Sequence, residues 1–137
     1  MKIRKAQKQV AEFMIAGGQL AERPKKAQIP GKEVFQRRVN MLQEEIQELI
    51  AAWVDGDIVG IADAWGDICY VLFGGVEECG IDLEPILTTI MYANGYKIDW
   101  EAEPPRPFAV REDGKILKPE GWVGPEEVIA EILADGR

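Results

Sequence analysis

The stretch FQRRVNMLQEEIQELIAAWV, Phe35–Val54, decides how the chain folds. Within it Phe35, Val39, Leu42, Ile46, Leu49 and Trp53 follow one another at intervals of 4, 3, 4, 3 and 4, the spacing of one face of an α-helix. Asp55, Gly56 and Asp57 break the stripe, and Asp57 is placed to cap a following helix. An Asp-Gly pair can also turn a β-hairpin. Here both flanks keep the helical period, so the pattern predicts a helix–turn–helix. Ile61, Trp65, Ile68, Leu72 and Val76 form the second stripe, and Gly80 closes it. A turn this short makes the two helices antiparallel neighbours.

Working outward, residues 4–16 suit a helix with Ala6, Val10, Phe13 and Met14 on one side, ended by Gly17 and Gly18. A loop marked by Pro24, Pro30 and Gly31 leads into the central pair. Beyond Gly80, Asp82 caps a fourth helix through about Tyr92, with Pro85 tolerated in its first turn. After Lys97 the texture changes. Pro104, Pro105 and Pro107 forbid regular structure, Phe108–Leu117 around Asp113 and Gly114 suits a small hairpin, and residues 125–134 read as a short final helix. The predicted architecture is all-α: an antiparallel helical bundle of four to five helices with an extended C-terminal arm, one domain over residues 1–137. A thin helical layer could hardly bury such stripes, which points to an oligomer, a homodimer or homotetramer.

Composition narrows the chemistry. Sixteen Lys and Arg face 24 Asp and Glu, for a net charge of −8, and there is no histidine. That absence removes His-based triads, His-ligated zinc or iron and imidazole acid–base catalysis. An apolar share of 47% describes an ordinary soluble chain. No uninterrupted apolar run reaches the roughly 18 residues of a membrane span, and no signal-peptide pattern opens the chain. Cys69 and Cys79 make no metal spacing, and ten residues of helix put them about 15 Å apart, too far for a disulfide. A reduced, cytoplasmic protein is expected.

The charge is unevenly spread. Residues 1–38 carry ten bases and three acids, whereas residues 39–96 carry eleven carboxylates and no Lys or Arg. A helix that forgoes every i,i+4 ion pair has self-repulsion to relieve. Divalent cations would do so, and so would a basic surface, including the chain's own N-terminal third. The scattered bases and the net negative charge argue against duplex nucleic acid as a partner.

Glu44, Glu45 and Glu48 lie on the first central helix, Asp63 and Asp67 on the second. Glu45 and Glu48 sit on adjacent turns about 60° apart, and Asp63 and Asp67 stack at i and i+4, so the pairs can converge across the interface. Carboxylates without nitrogen or sulfur ligands suit a hard cation, Mg²⁺ with Mn²⁺ as substitute. The helical wheel does not force them inward, however. Glu44 points away from the stripe and Glu48 toward the polar side, so a solvated acidic face fits the same spacing.

Leu42–Leu49 (LQEEIQEL) followed by Ile61–Tyr70 (IADAWGDICY) resembles the MazG-like all-α nucleoside triphosphate pyrophosphohydrolases, a group that includes phosphoribosyl-ATP pyrophosphohydrolases and dimeric all-α dUTPases. The group's mark is Glu-Glu-x-x-Glu on one helix and Glu-x-x-Asp on the next. Glu44, Glu45 and Glu48 match the first half and Asp67 the final aspartate, but Ala64 stands where the second glutamate belongs, with Asp63 one residue earlier as its substitute. Gly80–Asp82, the Asn-x-x-Lys of Asn94–Lys97 and the Gly-Lys arm of Gly114–Pro119 extend the resemblance from about residue 35 to 125.

The resemblance implies a metal-dependent enzyme that converts a nucleoside triphosphate and water to a monophosphate and pyrophosphate and so controls nucleotide pools. It implies Glu45, Glu48, Asp63 and Asp67 as metal ligands, and Glu44, Glu45, Glu48 and Asp67 as the catalytic acids, Glu44 orienting the others or taking the water's proton. It implies Lys97 on the phosphates and Asn94 on phosphate or sugar; Arg38, ahead of Glu48 on the same helix, is placed either to contact phosphate or to pair with an acid. Trp53 and Trp65 fit a core or a subunit interface, and Phe13 is a candidate to stack on the base. The base is left open among uracil, cytosine, guanine and damaged forms, some bacteriophage relatives acting on dGTP. The chain has no Gly-x-x-x-x-Gly-Lys loop to cradle phosphates, which leaves acidic helices and a bridging cation as the route to the triphosphate. Phosphoribosyl-ATP hydrolysis is the alternative within the class. A non-catalytic acidic helical module docking a basic protein is the alternative outside it.

Overall fold

In a computed structural model, residues 2–136 are described. In chain order the elements are α1 (Ile3–Ala16), α2 (Lys32–Val54), α3 (Ile58–Glu78), α4 (Leu83–Gly95), β1 (Ile98–Asp99), β2 (Arg106–Pro107) and α5 (Glu126–Asp135). The all-α expectation holds, with helix starts up to three residues earlier than the apolar stripes mark them. The described residues form two compact units, 2–83 with 136, and 84–135.

In the first unit α2 and α3 pack along their lengths and α1 lies on α3. The α2–α3 turn forms as its sequence predicts: Gly56 adopts φ +64°, and the Asp57 side chain caps α3 by accepting from the Gly60 N–H at 3.0 Å. The antiparallel register shows in three contacts. Ala52 meets Gly60 near the turn, Glu45 meets Asp67 in the middle, and Arg38 meets Gly74 at the far end. Val10, Ala11 and Met14 of α1 and Ala64 and Val71 of α3 are buried. The end of α3 is tied down by the loop that leads into α2. Gly80, at φ +65°, has the Lys26 carbonyl and the Pro24 ring against it, so no side chain fits there.

Charge pairs join the basic and acidic thirds of the chain. Glu77 is fully buried and accepts from Gln7 at 2.8 Å and from both Nε and Nη2 of Arg23 at 3.1 and 2.8 Å. Buried Glu78 accepts from Arg38 Nε at 2.6 Å and Arg37 Nη2 at 3.4 Å, and Arg4 meets Asp82 at 3.0 Å. The Glu77 carboxylate also holds the Arg23 guanidinium above its ordinary pKa, chiefly through their hydrogen bonds. The chain's own N-terminal third thus relieves part of the acidic block, as anticipated.

By length and mean hydropathy α3 passes as a membrane span, contrary to the reading from apolar runs alone. The helix carries Asp63, Asp67, Glu77 and Glu78, and it packs on α1 and α2. Much of the central stripes stays uncovered within the chain. Trp53 is 72% and Trp65 57% exposed, so neither belongs to the core of a single chain. Cys69 and Cys79 are free thiols.

In the second unit β1 and β2 pair antiparallel, Ile98 opposite Pro107 and Asp99 opposite Arg106. Pro107 was expected to exclude regular structure, but a two-residue edge strand needs no N–H from it. The predicted hairpin is present as a Val110–Ile116 bridge turning at Gly114, φ +91°. Trp122 Nε1 donates to the Ala93 carbonyl at 2.7 Å and fastens the arm to α4.

Candidate functional site

The middle of the α2–α3 register brings three carboxylates together. Glu45 and Glu48 stand on successive turns of α2, and Asp67 faces them from α3. One oxygen from each lies within 4.8 Å of the others. Glu45 and Asp67 are half-buried, while Glu48 is exposed. Among the described residues no Lys or Arg pairs with any of the three. Glu45 Oε2 is buried and accepts no hydrogen bond. Burial pushes the Glu45 carboxyl above its ordinary pKa, helped by its hydrogen-bond contact with Glu48 and by the negative charges of Glu48, Asp67 and Asp63.

Such a group can hold a metal ion. A buried carboxylate oxygen without a donor and three converging anions without a counter-charge are what a bound cation would resolve, and an all-oxygen donor set suits a hard one. The residues therefore fit the expected ion.

The other anticipated residues lie as follows. Asp63 is exposed and outside the triplet, acting on Glu45 through its charge alone. Glu44 is exposed and lines an open groove of α2 with Lys32, Gln36 and Arg37. Arg38 is 7% exposed and engaged with Glu78 and the Val71 carbonyl, which takes it out of the role of an open phosphate ligand. Phe13 meets Tyr70 edge-on, ring centroids 5.7 Å apart. In the second unit Asn94 is exposed, and the Lys97 ammonium stands 4.9 Å from the Trp122 ring centroid, with Lys118 at 5.2 Å from the same ring.

Glu77 and Glu78 were missed as structural acids. Their signal was in the sequence. Two adjacent carboxylates at a helix C-terminus oppose the macrodipole and call for basic partners.

Comparison with curated proteins finds no significant match. The profile of the phosphoribosyl-ATP pyrophosphohydrolase family matches residues 10–94, which include the whole α2–α3 pair and the triplet. With well over half of its length matched, the chain belongs to the phosphoribosyl-ATP pyrophosphohydrolase family, a branch of the MazG-like all-α pyrophosphohydrolases, whose members are phosphoanhydride hydrolases.

Proposed function

We propose that the protein hydrolyses nucleoside triphosphates to monophosphates and pyrophosphate, with Mg²⁺ as its ion and Mn²⁺ as a substitute. The observation that carries this reading is the uncompensated triplet Glu45–Glu48–Asp67 with its donor-less Glu45 oxygen. Water adds to a phosphorus, the α–β phosphoanhydride breaks, and pyrophosphate departs. The attacked phosphorus is ringed by anionic oxygens, and a bound divalent ion supplies the charge neutralisation that this attack requires.

Glu45, Glu48 and Asp67 would hold that ion. The chain has no histidine to act as base, and a carboxylate is the side chain we assign to take the water's proton. Glu44, exposed one helical turn before Glu48, is assigned that role. Lys97 is assigned to the phosphates and Asn94 to phosphate or sugar on the strength of the resemblance. The uncovered apolar side chains of α2 and α3, among them Phe35, Ile50, Trp53 and Trp65, support assembly as a homodimer or homotetramer.

A second reading, phosphoribosyl-ATP as the substrate, is favoured by the family match itself. One assay separates the two. Pyrophosphate release with Mg²⁺ is measured on the common ribo- and deoxyribonucleoside triphosphates and on phosphoribosyl-ATP. The first reading expects turnover of at least one simple triphosphate. Turnover of phosphoribosyl-ATP alone would replace it with the second, and no release from any nucleotide would favour the acidic docking module.

A further inference from the structure

Of the 23 residues of α2 one alone is buried, and it is a charged one, Arg38. The apolar stripe around it stays half-buried or exposed within the chain, with Phe35, Ile46 and Ile50 among the exposed side chains. Against this thin apolar contact stands a repulsion. Glu45, Glu48 and Asp67 converge without a basic partner among the described residues, and like charges at that range push α2 and α3 apart. Arg38 opposes the push. Its Nε donates to Glu78 at 2.6 Å and its Nη1 to the Val71 carbonyl at 3.3 Å, so one side chain of α2 is fastened to α3 at two points seven residues apart.

The socket accepts the guanidinium in one register. A Cβ on Gly74 would lie 2.7 Å from Arg38 Cζ, and one on Gly75 would lie 3.2 Å from Cγ. Moving α3 by one turn puts Tyr70 and Val71, or Glu78 and Cys79, where the two glycines stand, and all four carry side chains. The same slip carries Asp67 about 5.4 Å along the axis. That exceeds the 4.8 Å within which the oxygens of the triplet lie. Arg38 stands seven residues before Glu45, nearly two turns away on the same face, and Val71 stands one turn beyond Asp67. The Asp55–Asp57 turn joins the helices covalently on one side of the triplet, and Arg38 ties them on the other.

We propose that Arg38 is a positioning residue of the metal site. Through Glu78 and Val71 it holds α3 in the register where Asp67 meets Glu45 and Glu48, and it does so without touching metal or substrate. This rests on the hydrolase reading above for the ion itself. Without Arg38 the triplet is converged in only a fraction of the metal-free molecules, and the apparent Kd for the ion rises as the inverse of that fraction. A guanidinium suits the task because it stays charged and its fixed fork reaches two acceptors at once.

The test measures Mn²⁺ binding to the nucleotide-free protein by calorimetry, with the metal-free melting temperature beside it. Arg38→Met removes both ties and should raise the Mn²⁺ Kd about tenfold or more, a competent fraction of about a tenth. It also leaves buried Glu78 with Arg37 alone, which destabilises the fold, so two further variants separate position from stability. Arg38→Met/Glu78→Met replaces the whole pair with apolar side chains. It should recover most of the melting temperature and keep the weak Kd, and it decides the matter where the single variant does not fold. Arg23→Met strands buried Glu77 in the same way, but that pair ties the loop before α2, not α2, to α3. It should lower the melting temperature and leave the Kd at the parent's value. In assays, the Mg²⁺ concentration for half-maximal pyrophosphate release should rise by a similar factor in both Arg38 variants, and saturating Mg²⁺ should recover the rate. Loss of a phosphate contact would instead raise the KM for the nucleotide. A parental Kd in the double variant, or an equal loss in Arg23→Met, would overturn the proposal and leave the hydrolase reading standing. A parent that binds no Mn²⁺ would overturn both.

Discussion

At the scale of single residues, the triplet sets charge repulsion against ligand binding, and each acid should show both effects. Glu48 is exposed on the polar side of α2, so Glu48→Gln should leave packing nearly untouched and raise the melting temperature of the metal-free protein slightly. The same change replaces an anionic oxygen with an amide, a poorer donor to a hard cation. Pyrophosphate release should fall about a hundredfold or more, on the order of 3 kcal/mol of transition-state stabilisation. Side-by-side melting curves and assays of parent and variant check this, and a variant at the parent's rate would remove Glu48 from the site.

Asp63 and Asp67 should behave unequally, since only Asp67 enters the triplet. Asp67→Asn is expected to raise the Mg²⁺ concentration for half-maximal activity by about tenfold or more, and Asp63→Asn by only a few fold. Equal shifts in the two Mg²⁺ titrations would reinstate Asp63 as a ligand. Glu45 adds a pH signature. Its carboxyl is held above the ordinary value by burial and by its acidic neighbours, so the folded chain keeps that proton to higher pH than the unfolded chain. Metal-free stability should therefore be fullest below the ordinary Glu pKa and fall as pH rises through the raised one. Bound Mg²⁺ favours the ionised form and should flatten or reverse that slope. Melting temperature against pH, with chelator and with Mg²⁺, shows whether the two curves separate.

At the scale of elements, the α2–α3 hairpin carries the site, and its register depends on the turn. The Asp57 side chain satisfies the Gly60 N–H at the start of α3. Asp57→Ala should cost about 1 kcal/mol of stability, read by denaturant titration, and should leave the metal requirement unchanged because the triplet lies more than two turns away. The turn, both central helices and the Gly80 stop were all legible, because helical period, capping residues and glycine breaks are local properties. Legibility failed where the competing effect was long-range. Arg38 reads in sequence as a phosphate contact or as the partner of a surface acid. Its burial depends on Glu78, forty residues later, and on Gly74, whose missing side chain makes room for the guanidinium. The β1–β2 pair was likewise invisible, since two residues each are too few for a period.

At the scale of the whole molecule, the exposed stripes and the crowded acids make stability depend on what the chain binds. Mg²⁺ or Mn²⁺ that binds only the folded state should raise the melting temperature by mass action, about 2.7 kcal/mol at a hundredfold excess over Kd. Zn²⁺ should hold no special advantage without histidine or paired cysteines. Sedimentation should show a species of at least two chains, and dilution should lower the melting temperature. A monomer at all concentrations would leave the uncovered Trp53 and Trp65 without the proposed partner.

The amino-acid order alone determined the helical class, the helix boundaries to within a few residues and the acid-bearing faces, because all of these follow from period and turn chemistry along the chain. It also removed imidazole chemistry, since the chain contains no histidine, and left carboxylates as the candidate ligands. Only the tertiary structure decided which carboxylates converge. The helical wheel allowed four ligands or a solvated face, and the α2–α3 register selected Glu45, Glu48 and Asp67 and left Asp63 outside. It also decided which charges are spent on folding, drawing Arg23, Arg37 and Arg38 to Glu77 and Glu78. The reason is the same in both cases. Spacing within a helix says which way a side chain leaves its own backbone, but what it meets there depends on a second segment whose distance and register no local pattern encodes.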